Sequence, residues 1–222
     1  MSKWVRFAAG CAALIGAAVW LSVTFGSREI QRLNQQVADL EQEKRRLVEY
    51  ASRLAASRRV GQLDVVRQER DADGRVVNTL LWQEIGSDGL RGKPIALETV
   101  GEIVYVEALV IKFQHNLVAE GDPQRGVSLA LFRRVFGSAE APDSVPEIGR
   151  EARPPQAADV PFQRELWDRF WDLASDAELA SKYGVRVAQI EAPGVRVTPG
   201  EVWEVALDAA GGLNLRWAAS IP

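Results

Sequence analysis

The sequence predicts an N-terminal transmembrane helix continuing into a coiled coil, then a mainly β, sandwich-like domain with a helical insertion. Three features predict it: an uncharged apolar run over 7–25, a heptad pattern over 30–54, and short alternating strands from residue 61 onward. These divide the 222 residues into a cytoplasmic N-terminus (1–6), a transmembrane helix (7–25), a coiled-coil stalk (26–60) and a β-rich extracytoplasmic domain (61–222).

The run FAAGCAALIGAAVWLSVTF holds no charge. As a helix it spans roughly 28 Å, close to the hydrocarbon thickness of a bilayer. In lipid a helix closes all its own backbone bonds, whereas in water this one would leave its apolar side chains solvated. Lys3 and Arg6 precede it, and the positive-inside rule then leaves the N-terminus in the cytoplasm and sends the distal domain outward. Two other readings of the run fit less well. A cleaved signal peptide usually has an apolar region of about 7–15 residues, shorter than this one, and a small-residue cleavage site. A lipoprotein signal would use Ala8-Ala9-Gly10-Cys11, but the strongest apolar stretch follows the cysteine. A retained anchor in the inner (cytoplasmic) membrane fits best. Ala9, Ala13 and Ala17 stand at four-residue spacing, which suits close packing between membrane helices.

From Ile30 the apolar positions step by three and four. Ile30, Val37, Lys44 and Ala51 occupy a; Leu33, Leu40, Leu47 and Leu54 occupy d. Lys44 is the polar exception. β-branched residues at a, leucine at d and a single lysine at a favour a parallel dimer. The pattern allows a homodimer or a heterodimer with a similar partner. The arginines Arg45, Arg46, Arg53, Arg58 and Arg59 read as a solvated helix face.

Beyond residue 60 the pattern is β. Strands are expected at 63–70 and 75–85 around an Asp71–Gly74 turn, at 95–100, and at 102–115. The last is apolar on both faces, as a central strand is. Residues 127–136 return as a strand, with a short helix as the alternative. The Pro-rich loop 137–160 reads as a crossover between halves of the β domain. The segment 161–184 is helical, with Ser175–Glu178 as a capping box and Gly184 just past the end. Its stripe of Leu166, Trp167, Phe170, Trp171 and Leu173 suits a helix clamped onto a sheet; Trp167 and Trp171 are also the candidate interaction surface. Strands at 185–191, 194–197, 202–208 and 213–217 complete a sandwich of immunoglobulin-like or related type.

Composition narrows the function. Residues 1–60 carry ten Lys/Arg and five Asp/Glu, a net +5; the remainder carries seventeen and twenty-five, a net −8. An acidic distal domain lacks the basic footprint that nucleic-acid binding needs. Cys11 is the only cysteine and His115 the only histidine. That leaves no intrachain disulfide, no cysteine-based zinc site and no histidine pair for a transition metal. No nucleophile motif accompanies His115. Asp71, Asp73 and Gly74 begin like a calcium loop, but the later ligands are missing. No catalytic, cofactor-binding or metal-binding residue is assigned, and no cofactor.

The layout of anchor, coiled coil and small β domain resembles that of bacterial envelope scaffolds of wall elongation and division. The resemblance is one of plan, carried by no motif. It implies a single-pass envelope scaffold or adaptor, integral to the membrane, presenting an interaction domain to a protein partner in the envelope. The alternatives are a membrane-anchored ligand-binding or sensing domain using the Trp167/Trp171 region, and an envelope hydrolase working through carboxylates.

Overall fold

The computed structural model describes residues 31–86, 88–148 and 161–220. The apolar run over 7–25, with Ala9, Ala13 and Ala17, and the heptad residue Ile30 lie outside the described residues. So does the second half of the Pro-rich stretch. Among the described residues no helix is long and apolar enough to cross a membrane. The described chain falls into two units, divided between Glu49 and Tyr50.

Helix α1 covers 31–54. Its Gln, Glu, Leu, Arg, Lys and Ala residues have good helix propensity, and no proline or glycine interrupts it. The Ala55 amide donates to Ala51 O at 3.0 Å and the Ala56 amide to Arg53 O at 3.2 Å, so the last turn tightens before the chain leaves.

Strand β1, Ser57–Arg70, follows at once. It starts four residues before the boundary expected at residue 61. Arg58 and Arg59 are therefore strand residues and not part of a helical ladder. Their backbone is claimed by pairing with β8, where Arg58 lies opposite Leu207 and Arg59 opposite Ala206. Arg59 also pairs with Glu204 at 2.9 Å.

The β1 strand turns at Asp71–Gly74 into β2, Val76–Glu84. The Asp71 carboxylate accepts the Asp73 and Arg75 amides, and Gly74 takes φ +78°, a value open to glycine. Strand β3, Ile95–Val100, pairs with β2. The chain then passes through Gly101 and Glu102 into β4, Ile103–Phe113, which opens the second sheet. Helix α2, His115–Glu120, was not expected; its one and a half turns are too short to show an apolar period. His115 is exposed at its first position. Strand β5, Leu129–Gly137, returns antiparallel to β4.

Three short helices follow: α3 Pro161–Asp168, α4 Phe170–Ser175 and α5 Ala177–Lys182. The cap of α5 is Asp176, one residue later than expected. Its carboxylate accepts the Glu178 amide at 2.9 Å and the Leu179 amide at 3.0 Å, while the Ser175 hydroxyl donates back to Trp171 O. Serine inside a helix end bonds the preceding turn, leaving aspartate to cap. Gly184 has φ +71° just beyond the helix, as expected. Strands β6 (Val185–Glu191), β7 (Gly194–Arg196), β8 (Glu201–Asp208) and β9 (Leu213–Ser220) end the chain.

The domain is mainly β, its sheets antiparallel. The first sheet has the order β3-β2-β1-β8-β9; the second has β5-β4-β6, with β7 also on β4. This departs from an immunoglobulin-like order. Two sequence-local hairpins, β2–β3 and β8–β9, flank β1, because β1 is long enough to pair along both edges. Nor does the Pro-rich stretch join two halves: the strands on either side of it, β5 and β6, both pair with β4.

Strand β4 has a buried residue set on each face. Val104, Val106, Ala108 and Val110 join Leu63, Leu80, Trp82, Val205 and Leu207 of the first sheet in one core. Trp82 and Phe132 meet edge to face there, centroids 4.8 Å apart. Ile111 and Phe113 join Leu166, Phe170 and Leu173 of the helices in a second core. The helices are thus clamped on the sheet's other face, as the aromatic stripe suggested.

Candidate interaction surfaces and the charged seam

Within the first unit α1 carries one chemical feature. Leu33, Val37, Leu40 and Leu47 are 50–64 % exposed. At positions d, a, d and d they share a stripe of the helix. Lys44 sits in the same stripe and is exposed. A shallow, open depression along this helix is lined by Gln31, Arg32, Gln35, Gln36 and Asp39. No tryptophan lines it.

The last turn of α1 lies in the second unit and is committed there. Leu54 packs against the second core. Arg53 donates to Ala119 O at 3.0 Å. Ala51, three residues before Leu54, is exposed. The expected heptad seam therefore gives up its final d residue to the domain's own interior. Leu54 falls beside an apolar surface that the sequence could not place.

The two aromatic candidates separate. Trp167 is half-buried against the second core, whereas Trp171 is 61 % exposed and stands edge-on to Phe170 at 5.2 Å. Nearby, the Tyr183 hydroxyl donates to Glu165 at 2.5 Å, which raises the phenol above its ordinary pKa. Asp168 and Asp172 are exposed.

Charged groups inside the domain form two clusters that sequence reading passed over. In the first, Glu107 on β4 is 7 % exposed and meets Arg134 at 3.2 Å and Arg133 at 3.6 Å. Arg133 also holds Glu147 at 2.6 Å. In the second, Lys112 on β4 meets Glu191 on β6 at 2.6 Å, with both side chains 14 % exposed. Glu191 also accepts the Leu213 backbone amide of β9 at 2.7 Å and the Gln189 side-chain Nε2 at 2.8 Å. Burial pushes the Glu191 carboxyl up, but the Lys112 ammonium and these two donors together hold it below the usual carboxylate value. The signal was visible in the sequence: two charged residues, Glu107 and Lys112, interrupt an otherwise apolar strand.

A third polar site ties the junction between α1 and β1 to the residues that precede β5 and follow β8. Arg58 donates to Ser128 O at 3.4 Å, and burial lowers its guanidinium pKa. The Ser128 hydroxyl and amide both reach Ala209 O, at 2.8 and 2.9 Å. The Ala209 amide donates to Ala56 O at 2.7 Å.

Chemically these clusters hold structure. Each buried carboxylate is matched by a cation and by hydrogen-bond donors, the condition under which a buried charge is tolerated. Among the described residues no three His, Cys, Asp or Glu side chains converge as a metal site.

The chain matches no family model, no curated protein and no solved structure. Its function has to be argued from its own chemistry.

Proposed function

We propose that this is a single-pass membrane protein whose stalk dimerises and presents a sandwich-like β domain to a protein partner in the envelope. One observation carries the reading. A helix directly following a 19-residue uncharged apolar run leaves four leucine and valine side chains at least half exposed, at heptad positions, in the single chain. An isolated helix of this kind is marginal in water, and pairing its apolar stripe is what stabilises it.

The span holds the chain in the inner membrane with the domain outside. Two tethered domains then meet a partner at raised effective concentration, so weak contacts at each domain add up. Trp171, a large ring exposed on the helical layer, is the anchor we assign to that contact, since exposed aromatics dominate interface energies. The stalk supplies reach and pairing; the domain supplies the binding face. No catalytic step is assigned.

The test uses the full chain. Extracted in detergent, it should sediment as a dimer. Leu33→Asp with Leu47→Asp should abolish disulfide trapping through Leu40→Cys in a Cys11→Ser background, with an unchanged β signature by circular dichroism. Recovery of the full-length wild type as a freely soluble monomer after lysis refutes the reading.

A further inference from the structure

Lys44 is the only charged residue at an a or d position between Ile30 and Leu54. In the single chain it is exposed, as are Glu41 and Glu43, and no ion pair with any of the three is found among the described residues. In the same heptads Gln36, Glu43 and Tyr50 stand at g, and Asn34, Glu41 and Val48 at e. The two carboxylates therefore flank the apolar stripe, one on each side of Lys44. A charge at a weakens pairing but fixes register, and residues at e and g set orientation and partner. The seam is also short. Leu54 belongs to the domain's own core, which leaves Leu33, Val37, Leu40, Leu47 and Ala51 as the apolar layers around Lys44 among the described residues. With so few layers, the one charged layer decides between arrangements.

We propose that the partner of the stalk is a second copy of this chain, parallel and in register, selected by ion pairs between Lys44 of each copy and Glu43 of the other. This pairing rests on the dimerising stalk proposed above and names what occupies it. In a parallel pair the a residue of one helix packs against the g residue that precedes a on the other. Lys44 then meets Glu43 of the second copy, and the same contact recurs with the two chains exchanged. Each long lysine stem can lie along the seam while its ammonium reaches the flank. One chain thus carries both halves of the complement, and no second sequence is needed to complete it.

The competing arrangements of two copies lose this match. A slip of one heptad sets one Lys44 beside Val37, where the g residue is Gln36, and the other beside Ala51, where it is Tyr50. Neither offers a carboxylate. An antiparallel pair centred on the same apolar layers sets Leu33 against Ala51, Val37 against Leu47 and Leu40 against Lys44. It also brings Glu43 against Glu43 and Glu41 against Glu41, because g then faces g and e faces e. Like charges on facing helices repel. An exposed ion pair adds little strength by itself. Its weight lies in the arrangements it penalises, which is how charge confers specificity.

Disulfide trapping in the full chain tests it, in a Cys11→Ser background, with two copies produced together and one of them carrying an affinity tag. Leu40→Cys should cross-link to itself on mild oxidation. Leu40→Cys with Leu47→Cys should give at least ten-fold less mixed product, because residues a heptad apart lie roughly 10 Å apart along the axis, beyond disulfide reach. With Leu40→Cys as the reporter, Lys44→Glu alone and Glu43→Lys alone should each lower self-trapping at least five-fold. The first sets carboxylates against carboxylates, the second ammoniums against ammoniums. Produced together, these two variants should trap each other at the wild-type level, since each then faces its opposite. Self-trapping at Leu40→Cys that ignores both charge reversals overturns the Lys44–Glu43 pairing and leaves the dimeric stalk standing. More mixed product than self-trapping in the Leu40→Cys and Leu47→Cys experiment overturns the register, as does a chain that sediments as a dimer without self-trapping. Capture of a different protein at Leu40→Cys in place of a second copy overturns the occupant. No trapping in a chain that sediments as a monomer refutes the stalk itself.

Discussion

Lys112→Met should weaken the domain, by an amount that depends on pH. Lys112 and Glu191 meet at 2.6 Å with side chains 14 % exposed, and Glu191 also ties β6 to β9 through the Leu213 amide. Removing one partner of a buried pair costs about 3–5 kcal/mol when the other charge is left uncompensated. Here two donors, the Leu213 backbone amide and the Gln189 side-chain Nε2, remain on the carboxylate. Each hydrogen bond to a charged group contributes about 1.5–3 kcal/mol, so the loss should fall below that range, to about 2–3 kcal/mol at pH 7. The carboxyl of Glu191 is lowered from an ordinary value of 4.5. A lowered carboxyl stabilises the fold above its unfolded pKa, and that stabilisation is lost as pH falls through the folded value. In Lys112→Met the ammonium no longer opposes burial, so the carboxyl moves upward and this acid-sensitive stabilisation shrinks. The gap between wild type and variant should therefore be widest at pH 7 and narrow steadily below about pH 4.5. Urea unfolding of the full chain in detergent, followed by tryptophan fluorescence, measures both. A cost under about 0.5 kcal/mol at pH 7, the level of ordinary surface changes, refutes the reasoning, as does a gap that stays constant down to pH 3.

Other substitutions test separate parts of the argument. Gly137→Ala places a Cβ 2.1 Å from the Val100 carbonyl oxygen, a backbone atom that cannot swing aside. It should cost about 3 kcal/mol or more by overpacking, whereas Gly74→Ala, with nothing within 4 Å and only its φ of +78° at stake, should cost about 1–2 kcal/mol. Thermal melts compare them. Asp176→Ala should lose about 1 kcal/mol of stability and Ser175→Ala much less; equal losses would mean that Asp176 is not the cap of α5. Lys44→Leu should strengthen stalk pairing while loosening its choice of oligomeric state, read by sedimentation of the full chain over a concentration series; a monomer with either residue contradicts the dimeric stalk.

The β domain was legible where pattern is local. The Asp71–Gly74 hairpin needs only a carboxylate that captures nearby amides and a glycine tolerant of positive φ. Strand β4 needs only its two apolar faces. The aromatic stripe from Leu166 to Leu173 could be assigned to a sheet because three bulky rings at helical spacing demand a cover. The less legible points depend on distant partners. Arg58 and Arg59 look helical beside Arg53 until β8 offers their backbone a ladder. Ser175 and Asp176 are both good caps, and the turn before them decides between the two. Helix α2 is too short to carry a period. Of the surfaces proposed for function, the heptad face was readable in sequence. The rim strands were not, because an edge exists only once the order of strands is known.

The chain by itself determined that an uncharged apolar segment precedes a heptad helix, and that alternating strands follow. Hydrophobic period and charge depend on neighbours a few residues apart, and those are written in order along the sequence. Tertiary structure alone decided which strands lie at the rim, which charged residues pair in the interior, and that Leu54 faces its own domain. Those outcomes come from contacts between residues far apart in sequence: Glu191 with Leu213, Arg53 with Ala119, Arg58 with Ser128. Burial makes such contacts strong, and no local pattern encodes them.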